Sequence, residues 1–172
     1  MTTNRNFGEY AVAATAFFVS ICSLFIYVYQ SKIMSEQQQV AVWPFLQWSK
    51  SNLEGFALHA TNKGVGPAIV RKVQMQYQGK AVASNHALVD AVVGVESKMR
   101  WLNSTLEENV LSPGEKILIL QVVDPAEAKA FEEKLSAGKF SMTVTYCSIY
   151  GRCWTTTGYD AKRAPNDDNI DY

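Results

Sequence analysis

The chain has 172 residues, and its 16 lysines and arginines balance its 16 aspartates and glutamates, so the formal charge is zero. The basic residues form no cluster or tract. This argues against nucleic acid as a partner, since nucleic-acid-binding surfaces neutralise phosphates with clustered lysine and arginine. The length is sufficient for one domain with its own core after an N-terminal segment.

Residues 10–30 are predicted to form a transmembrane helix. The run from Tyr10 to Tyr29 has no charge, and about 20 apolar residues in a helix span roughly 30 Å, the thickness of the hydrocarbon core. A cleaved signal peptide is the alternative, but the apolar run is full length and the following YQSKIMSEQQQ offers no small-residue cleavage site. Residues 1–9 then form a short cytoplasmic tail, and residues 31–39 form a polar helical stalk.

Small residues recur along one face of this predicted helix at spacings of three and four: Ala13, Ala16, Ser20 and Ser23. Small residues let helix backbones approach closely in lipid, where packing drives association. They are candidate helix-packing residues for a partner helix or for self-association. The alternative is the general abundance of small residues in membrane helices, and Cys22 in the same span is interpreted as a small apolar filler.

Residues 40–160 are predicted to form a β domain that begins with three strands. VAVWPFLQW is the first, with Pro44 at a sheet edge or bulge because proline lacks a donor. FALHATNKG is the second. In the third, AIVRKVQMQYQGK, a period of two places one apolar set on the buried face, interrupted by Arg71. That set is Ile69, Val73, Met75 and Tyr77.

Two helices and a central strand follow. SNHALVDAVVG is predicted to be a short helix capped by Ser84 or Asn85, and LSPGEKILILQVVD a turn followed by a central strand. DPAEAKAFEEKLSAG has a capping aspartate, Asp124, a proline in the first turn and a terminal glycine, Gly138. Residues 95–109 are ambiguous, with Met99, Trp101 and Leu102 as expected core residues.

The segments FSMTVTYC and CWTTTGY are predicted to form a hairpin around the loop Ile149–Gly151, because Gly151 suits the left-handed position of a three-residue loop. Cys147 then lies opposite Cys153, which predicts a disulfide and an oxidising compartment. The bridge and a threonine ladder (Thr143, Thr145, Thr155 and Thr157) are expected to face outward. Phe140, Met142, Val144, Tyr146 and Trp154 are expected to face inward.

These elements predict a mainly β fold, in which a single N-terminal transmembrane helix precedes an antiparallel immunoglobulin-like β-sandwich with one or two short helices. A small α+β fold is the alternative. Residues 161–172 are polar and are expected to be a disordered tail.

The chain resembles small bacterial inner-membrane proteins with a periplasmic immunoglobulin-like domain. The resemblance is carried by the single N-terminal span, a W-P strand, N-K-G-x-G-P-A, S-P-G-E and the terminal Y-C-S-x-Y-G-x-C-W hairpin. It implies a bacterial envelope location, and the predicted disulfide then places the N-terminus in the cytoplasm and the domain in the periplasm. It carries no catalytic residues across.

The sequence contains no recognisable catalytic, cofactor or metal-binding motif, and its two histidines, His59 and His86, belong to none. The favoured hypothesis is a non-enzymatic, membrane-anchored interaction domain, for example an accessory subunit of an envelope complex. Its expected partners are membrane lipid and other membrane or periplasmic proteins, or a second copy. Trp43, Trp48 and the threonine ladder are the candidate contact surfaces. The alternative is a thiol-redox or ligand-sensing protein that uses Cys147 and Cys153.

Overall fold

A computed structural model describes residues 3–52, 55–158 and 161–163. The chain divides into two compact units, Met1–Ala41 and Val42–Tyr172. The described chain is 38% helix and 33% strand. It is therefore mixed in composition rather than mainly β, because one long helix supplies most of the helical residues.

The first unit is the helix α1, Thr3–Ala41, which contains 39 residues. Among the described residues, one helix, Phe7–Ala41, is long and apolar enough to cross a membrane. The helix continues through the residues predicted as a stalk. Val40 and Ala41 are helical, so the prediction that the first strand starts at Val40 is wrong. The favourable i to i−4 hydrogen bonding of a helix already under way extends it to the residues just before Pro44.

The second unit alternates strands with two short helices in antiparallel sheets. In chain order the elements are β1 Leu46–Ser51, β2 Phe56–Asn62, β3 Ala68–Tyr77, β4 Lys80–Val82, α2 Asn85–Val93, β5 Trp101–Asn103, β6 Val110–Leu111, β7 Lys116–Val122, α3 Pro125–Ala137, β8 Ser141–Cys147, β9 Cys153–Thr156 and β10 Ala161–Arg163. One sheet has the order β1-β2-β7-β5, and the other has the order β10-β9-β8-β3-β4, with β6 also paired to β3. The central position predicted for β7 is confirmed.

Both sheets and both short helices contribute to one hydrophobic core. Its largest fully buried side chains include Phe56 of β2, Leu88 of α2, Phe131 of α3 and Tyr146 of β8. Both helices have the predicted caps: Ser84 accepts from the Ala87 N–H, and Asp124 accepts from two N–H groups at the start of α3.

The face prediction for β3 is wrong at its start. The pairing of β3 with β8 shifts register between Val70 and Lys72, which leaves Arg71 as an extra residue. A β-bulge of this kind reverses which alternate residues face the core. Val70 is therefore buried with Met75 and Tyr77, whereas Ile69 lies on the opposite face from them.

Two further predictions, for Leu102 and for residues 161–163, differ from the structure. Leu102, expected in the core, is 55% exposed, while Leu106 of the ambiguous segment is buried. Ala161–Arg163, expected to begin a disordered tail, pair with β9 as β10 because they continue the ladder next to Trp154–Thr156. The rest of the predicted tail, residues 164–172, lies outside the described residues.

Candidate functional site

The segment that connects α1 to β1 is hydrogen-bonded to the loop between β2 and β3. The Trp43 carbonyl accepts from the Val65 N–H at 3.0 Å, and the Phe45 carbonyl accepts from the Lys63 N–H at 2.8 Å. These bonds satisfy backbone groups that no sheet partner reaches. The entry to the β domain is therefore a fixed part of its fold rather than a free linker.

Asn62 holds this arrangement together from inside. Its side chain is fully buried. Its Oδ1 accepts from the N–H groups of Phe45 at 3.2 Å and Gly64 at 3.0 Å. Its Nδ2 donates to the carbonyls of Gly66 at 2.8 Å and Leu111 at 3.0 Å. One amide thus uses all its hydrogen-bonding capacity to join the entry segment, the β2–β3 loop and β6.

The two glycines of N-K-G-x-G-P-A permit this close approach. A Cβ on Gly66 would lie 1.9 Å from the Val42 carbonyl oxygen, and one on Gly64 would lie 2.3 Å from the Phe45 nitrogen. Real atoms do not approach so closely, so a side chain at either position would push the loop off the entry segment.

The β8–β9 hairpin closes the same end of the domain. Cys147 pairs with Cys153 and Tyr146 with Trp154, as predicted, and Gly151 has the expected positive φ of 79°. Cys147 and Cys153 form a disulfide with a Cα–Cα distance of 4.0 Å. Cys147 shares with Ile69 the face of the sheet opposite to Tyr146, but the bridge is covered on that face, because both cysteines are only 1% exposed. Strand β3 flanks Cys147, with Ile69 directly opposite.

The threonine ladder is only partly present. The hydroxyl groups of Thr145 and Thr155 are 3.4 Å apart across β8 and β9, and both residues are half-buried, as is Thr143. Thr157 is exposed but lies beyond the end of β9, so its predicted pairing with Thr143 is not part of the ladder. The remaining ladder offers a narrow, partly covered polar strip.

The two predicted surface tryptophans have different environments. Trp48 lies on the edge strand β1, but its Nε1 donates to the Met142 carbonyl at 2.9 Å and its ring packs edge-on against Phe140. It therefore joins the two sheets and is half-buried. Trp43 precedes β1, contacts Phe45 at a ring-centroid distance of 5.5 Å, and is 43% exposed. Trp43 is the better candidate for contact with another molecule.

Two ionisable groups in the described part of the domain have shifted pKa values. Burial, with a smaller contribution from the Lys116 charge, lowers the pKa of His59, while the His86 ring packs edge-on against Trp101. Burial raises the pKa of Tyr146 to about 12. No group of three or more His, Cys, Asp or Glu side chains that could hold a metal ion occurs in the described part of the chain.

In α1, the predicted packing face has internally satisfied hydroxyls. Ser20 donates to the Ala16 carbonyl and Ser23 to the Val19 carbonyl, each at 2.8 Å. Ala13 and Ala16 present only methyl groups on this face. These hydrogen bonds lie within the helix and do not test helix association, which stays a prediction.

The four motifs of the β domain on which the resemblance rests converge at one end of it. The register pairs Leu46 with Asn62, Ala68 with Leu111 and Ile69 with Cys147, so the entry segment and three loops lie together. Four of the apolar side chains there are substantially exposed: Trp43 (43%), Val65 (67%), Ile149 (49%) and Tyr150 (44%). We call these four residues the loop end. Val65, Ile149 and Tyr150 were not predicted as surface candidates, although apolar residues next to turn glycines were the available signal.

Comparison with known proteins gives a family but no function. The chain matches no curated protein and no solved structure. Residues 7–163 match the family model described as "Domain of unknown function (DUF8453)", which covers both α1 and the β domain. Because the match extends over most of the chain, the protein belongs to this family.

Proposed function

We propose that this protein is a single-pass, membrane-anchored interaction module without enzymatic activity. The observation that carries the proposal is the direct succession of an apolar helix, ending at Ala41, and a β domain whose first strand begins at Leu46. A helix this long and apolar is suited to a bilayer, and a domain attached so closely to it acts next to the membrane surface.

The proposed orientation places the N-terminus in the cytoplasm and the β domain in the periplasm of a bacterial inner membrane. The disulfide between Cys147 and Cys153 supports this assignment, because such bonds persist in oxidising compartments and are rare in the cytosol. The charges on either side of the helix favour neither direction, so the disulfide is the main support.

We further propose an immunoglobulin-like sandwich for the domain. The strand order supports it, since β1-β2-β7-β5 and β9-β8-β3 follow the A-B-E-D and G-F-C orders of that fold when strands are lettered along the chain. Helix α3 then occupies the connection between strands E and F. Folds of this kind present loops at both ends and commonly bind proteins through them.

The surfaces proposed for contact are Trp43 at the loop end, the edge strand β1 that carries Trp48, and the half-buried ladder of Thr145 and Thr155. A second membrane or periplasmic protein, such as the core of an envelope complex, is the partner we favour, with a second copy of the chain as the alternative. The small face of α1 would support either association within the membrane.

A thiol-redox role for Cys147 and Cys153 is less well supported. Thiol exchange requires an attacking thiolate to reach a sulfur of the bridge. Both cysteines are nearly inaccessible, so the bond is better suited to stabilising the hairpin.

Site-specific photocrosslinking in native membranes tests the proposal. A photoreactive amino acid at Trp48 or Thr155 should crosslink to another protein, identified by mass spectrometry. The same amino acid at Gln78, an exposed residue in the β3–β4 turn, is the control for nonspecific capture. Recovery of the uncrosslinked chain alone from Trp48 and Thr155 would contradict the proposal. Release of the protein by an alkaline wash would contradict the anchor separately.

A further inference from the structure

The exposed residues of the loop end have the composition of a membrane-interfacial surface. We propose that the loop end, together with the neighbouring cations Lys63 and Arg152, docks onto the headgroup region of the membrane that holds α1. This inference rests on the proposed anchoring and adds a second, reversible contact between the domain and lipid.

The fold brings these residues together from separate parts of the chain. The Trp43 carbonyl is hydrogen-bonded to the Val65 N–H, which places the backbones of these two residues next to each other. The loop with Ile149 and Tyr150 follows Cys147, whose partner Ile69 lies at the start of β3 just after the Val65 loop. All four residues therefore lie at the end of the domain where the chain enters from α1.

These side chains are held in position by rigid backbone. The Asn62 amide and the close approach of Gly66 to Val42 fix the Val65 loop. The disulfide and the hydrogen bond from the Ser148 N–H to the Arg152 carbonyl, at 2.8 Å, fix the other loop. Their exposure is thus a property of the folded domain and not of a flexible segment.

The side chains of the loop end are of the types found at the interface between a bilayer and water. Tryptophan and tyrosine combine an apolar ring with a polar atom and concentrate at membrane–water interfaces. Lys63 is exposed and Arg152 is half-exposed, and cations near the surface are attracted to anionic headgroups. The combination of aromatic, aliphatic and basic side chains therefore suits an anionic bilayer surface.

Lipid is favoured over a protein partner for this surface by the tether and by the neighbouring cations Lys63 and Arg152. The covalent link to α1 keeps this end of the domain at high local concentration near the bilayer. An upright helix over residues 31–41 would rise about 16 Å, so docking requires the stalk to lean toward the surface.

Spin labelling of the full-length protein in vesicles tests the proposal. The chain is reconstituted sparsely into phosphatidylcholine vesicles that contain phosphatidylglycerol. Val65→Cys in a Cys22→Ser background carries a nitroxide, and Gln78→Cys in the same background is the control at the far end of β3. The native Cys22, which is the free cysteine of the described chain, is labelled in a third sample to report the anchor.

The readout is nitroxide relaxation by oxygen, which dissolves in lipid, against relaxation by an aqueous nickel chelate. If the loop end docks, the Val65 label should collide more often with oxygen and less often with the nickel chelate than the Gln78 label, which should remain in water. Adding Ile149→Asp should return the Val65 label to water, because a carboxylate at the loop end opposes insertion.

The possible failures are distinguishable. An aqueous Val65 label with a deep Cys22 label overturns docking and leaves the anchor intact. A Val65 label shielded from both reagents indicates a protein on this surface and also overturns docking. An aqueous Cys22 label overturns the anchor, and with it the proposed function.

Discussion

Replacing Asn62 with alanine should loosen the attachment of the entry segment to the domain. The substitution removes four hydrogen bonds and leaves two N–H groups and two carbonyl groups without their partner. Because Asn62 is fully buried, little water is available to replace them. At about 1 kcal/mol for each bond, the free energy of unfolding should fall by about 4 kcal/mol.

Thermal unfolding of the full-length protein in detergent measures this loss. Near-ultraviolet circular dichroism is the appropriate signal, since all four tryptophans follow α1 in the chain. For a domain of this size, a loss of about 4 kcal/mol corresponds to a decrease in Tm of about 15 °C. Far-ultraviolet ellipticity should change less, because α1 contributes to it independently.

The matched control is Asn52→Ala, which removes a single exposed hydrogen bond to Glu132 and should change stability by less than about 0.5 kcal/mol. Asn62→Asp adds a second test. Its carboxylate keeps both acceptor bonds but opposes two carbonyl oxygens, so it should destabilise the domain at neutral pH and less when protonated. A Tm for Asn62→Ala within a few degrees of both wild type and Asn52→Ala would refute the reasoning.

Three further predictions concern other parts of the domain. Cys147→Ser/Cys153→Ser should lower the free energy of unfolding by roughly 2 kcal/mol, since the bond closes a short loop, and an unchanged Tm would show that the bond does not contribute. Gly66→Ala should destabilise the domain through its collision with the Val42 carbonyl, while Gly8→Ala, whose added Cβ meets nothing within 4 Å, should not; equal Tm values for the two would count against the close approach. The lowered pKa of His59 means that the unfolded state binds more protons, so chemical denaturation should show stability falling as pH drops from the ordinary histidine pKa through the lower folded pKa. His59→Gln should flatten that slope, and an unchanged slope would assign it to other groups.

Local sequence patterns predicted the elements whose structure depends on neighbouring residues. The caps of α3 at Asp124 and Gly138 and the register of the hairpin around Gly151 were available from turn and capping chemistry alone. The long apolar helix α1 was likewise available from its length and lack of charge. In each case the residues that decide the structure lie within one turn, one hairpin or one continuous helix.

The errors occurred where distant parts of the chain decide the structure. The bulge at Arg71 depends on pairing with β8, and one extra residue there moved Ile69 off the core-facing side of β3. The burial of the Cys147 bridge depends on β3 lying beside it. The loop end was missed for the same reason, because Trp43 and Tyr150 are more than 100 positions apart in the sequence and only the fold brings them to one surface.

The stability of the fold explains the residues that surround the loop end, but it does not explain the exposed side chains of the loop end itself. Asn62, Gly66 and Gly151 are explained by buried hydrogen bonds, close approach and positive φ, all of which serve the fold. Val65 and Tyr150, held in place by these same residues, extend about half or more of their surface into solvent and contribute little to the core. A rigid scaffold that presents apolar side chains outward is the arrangement by which loops bind other molecules. Stability therefore explains the backbone at this end of the domain, and we propose binding as the role of its exposed side chains.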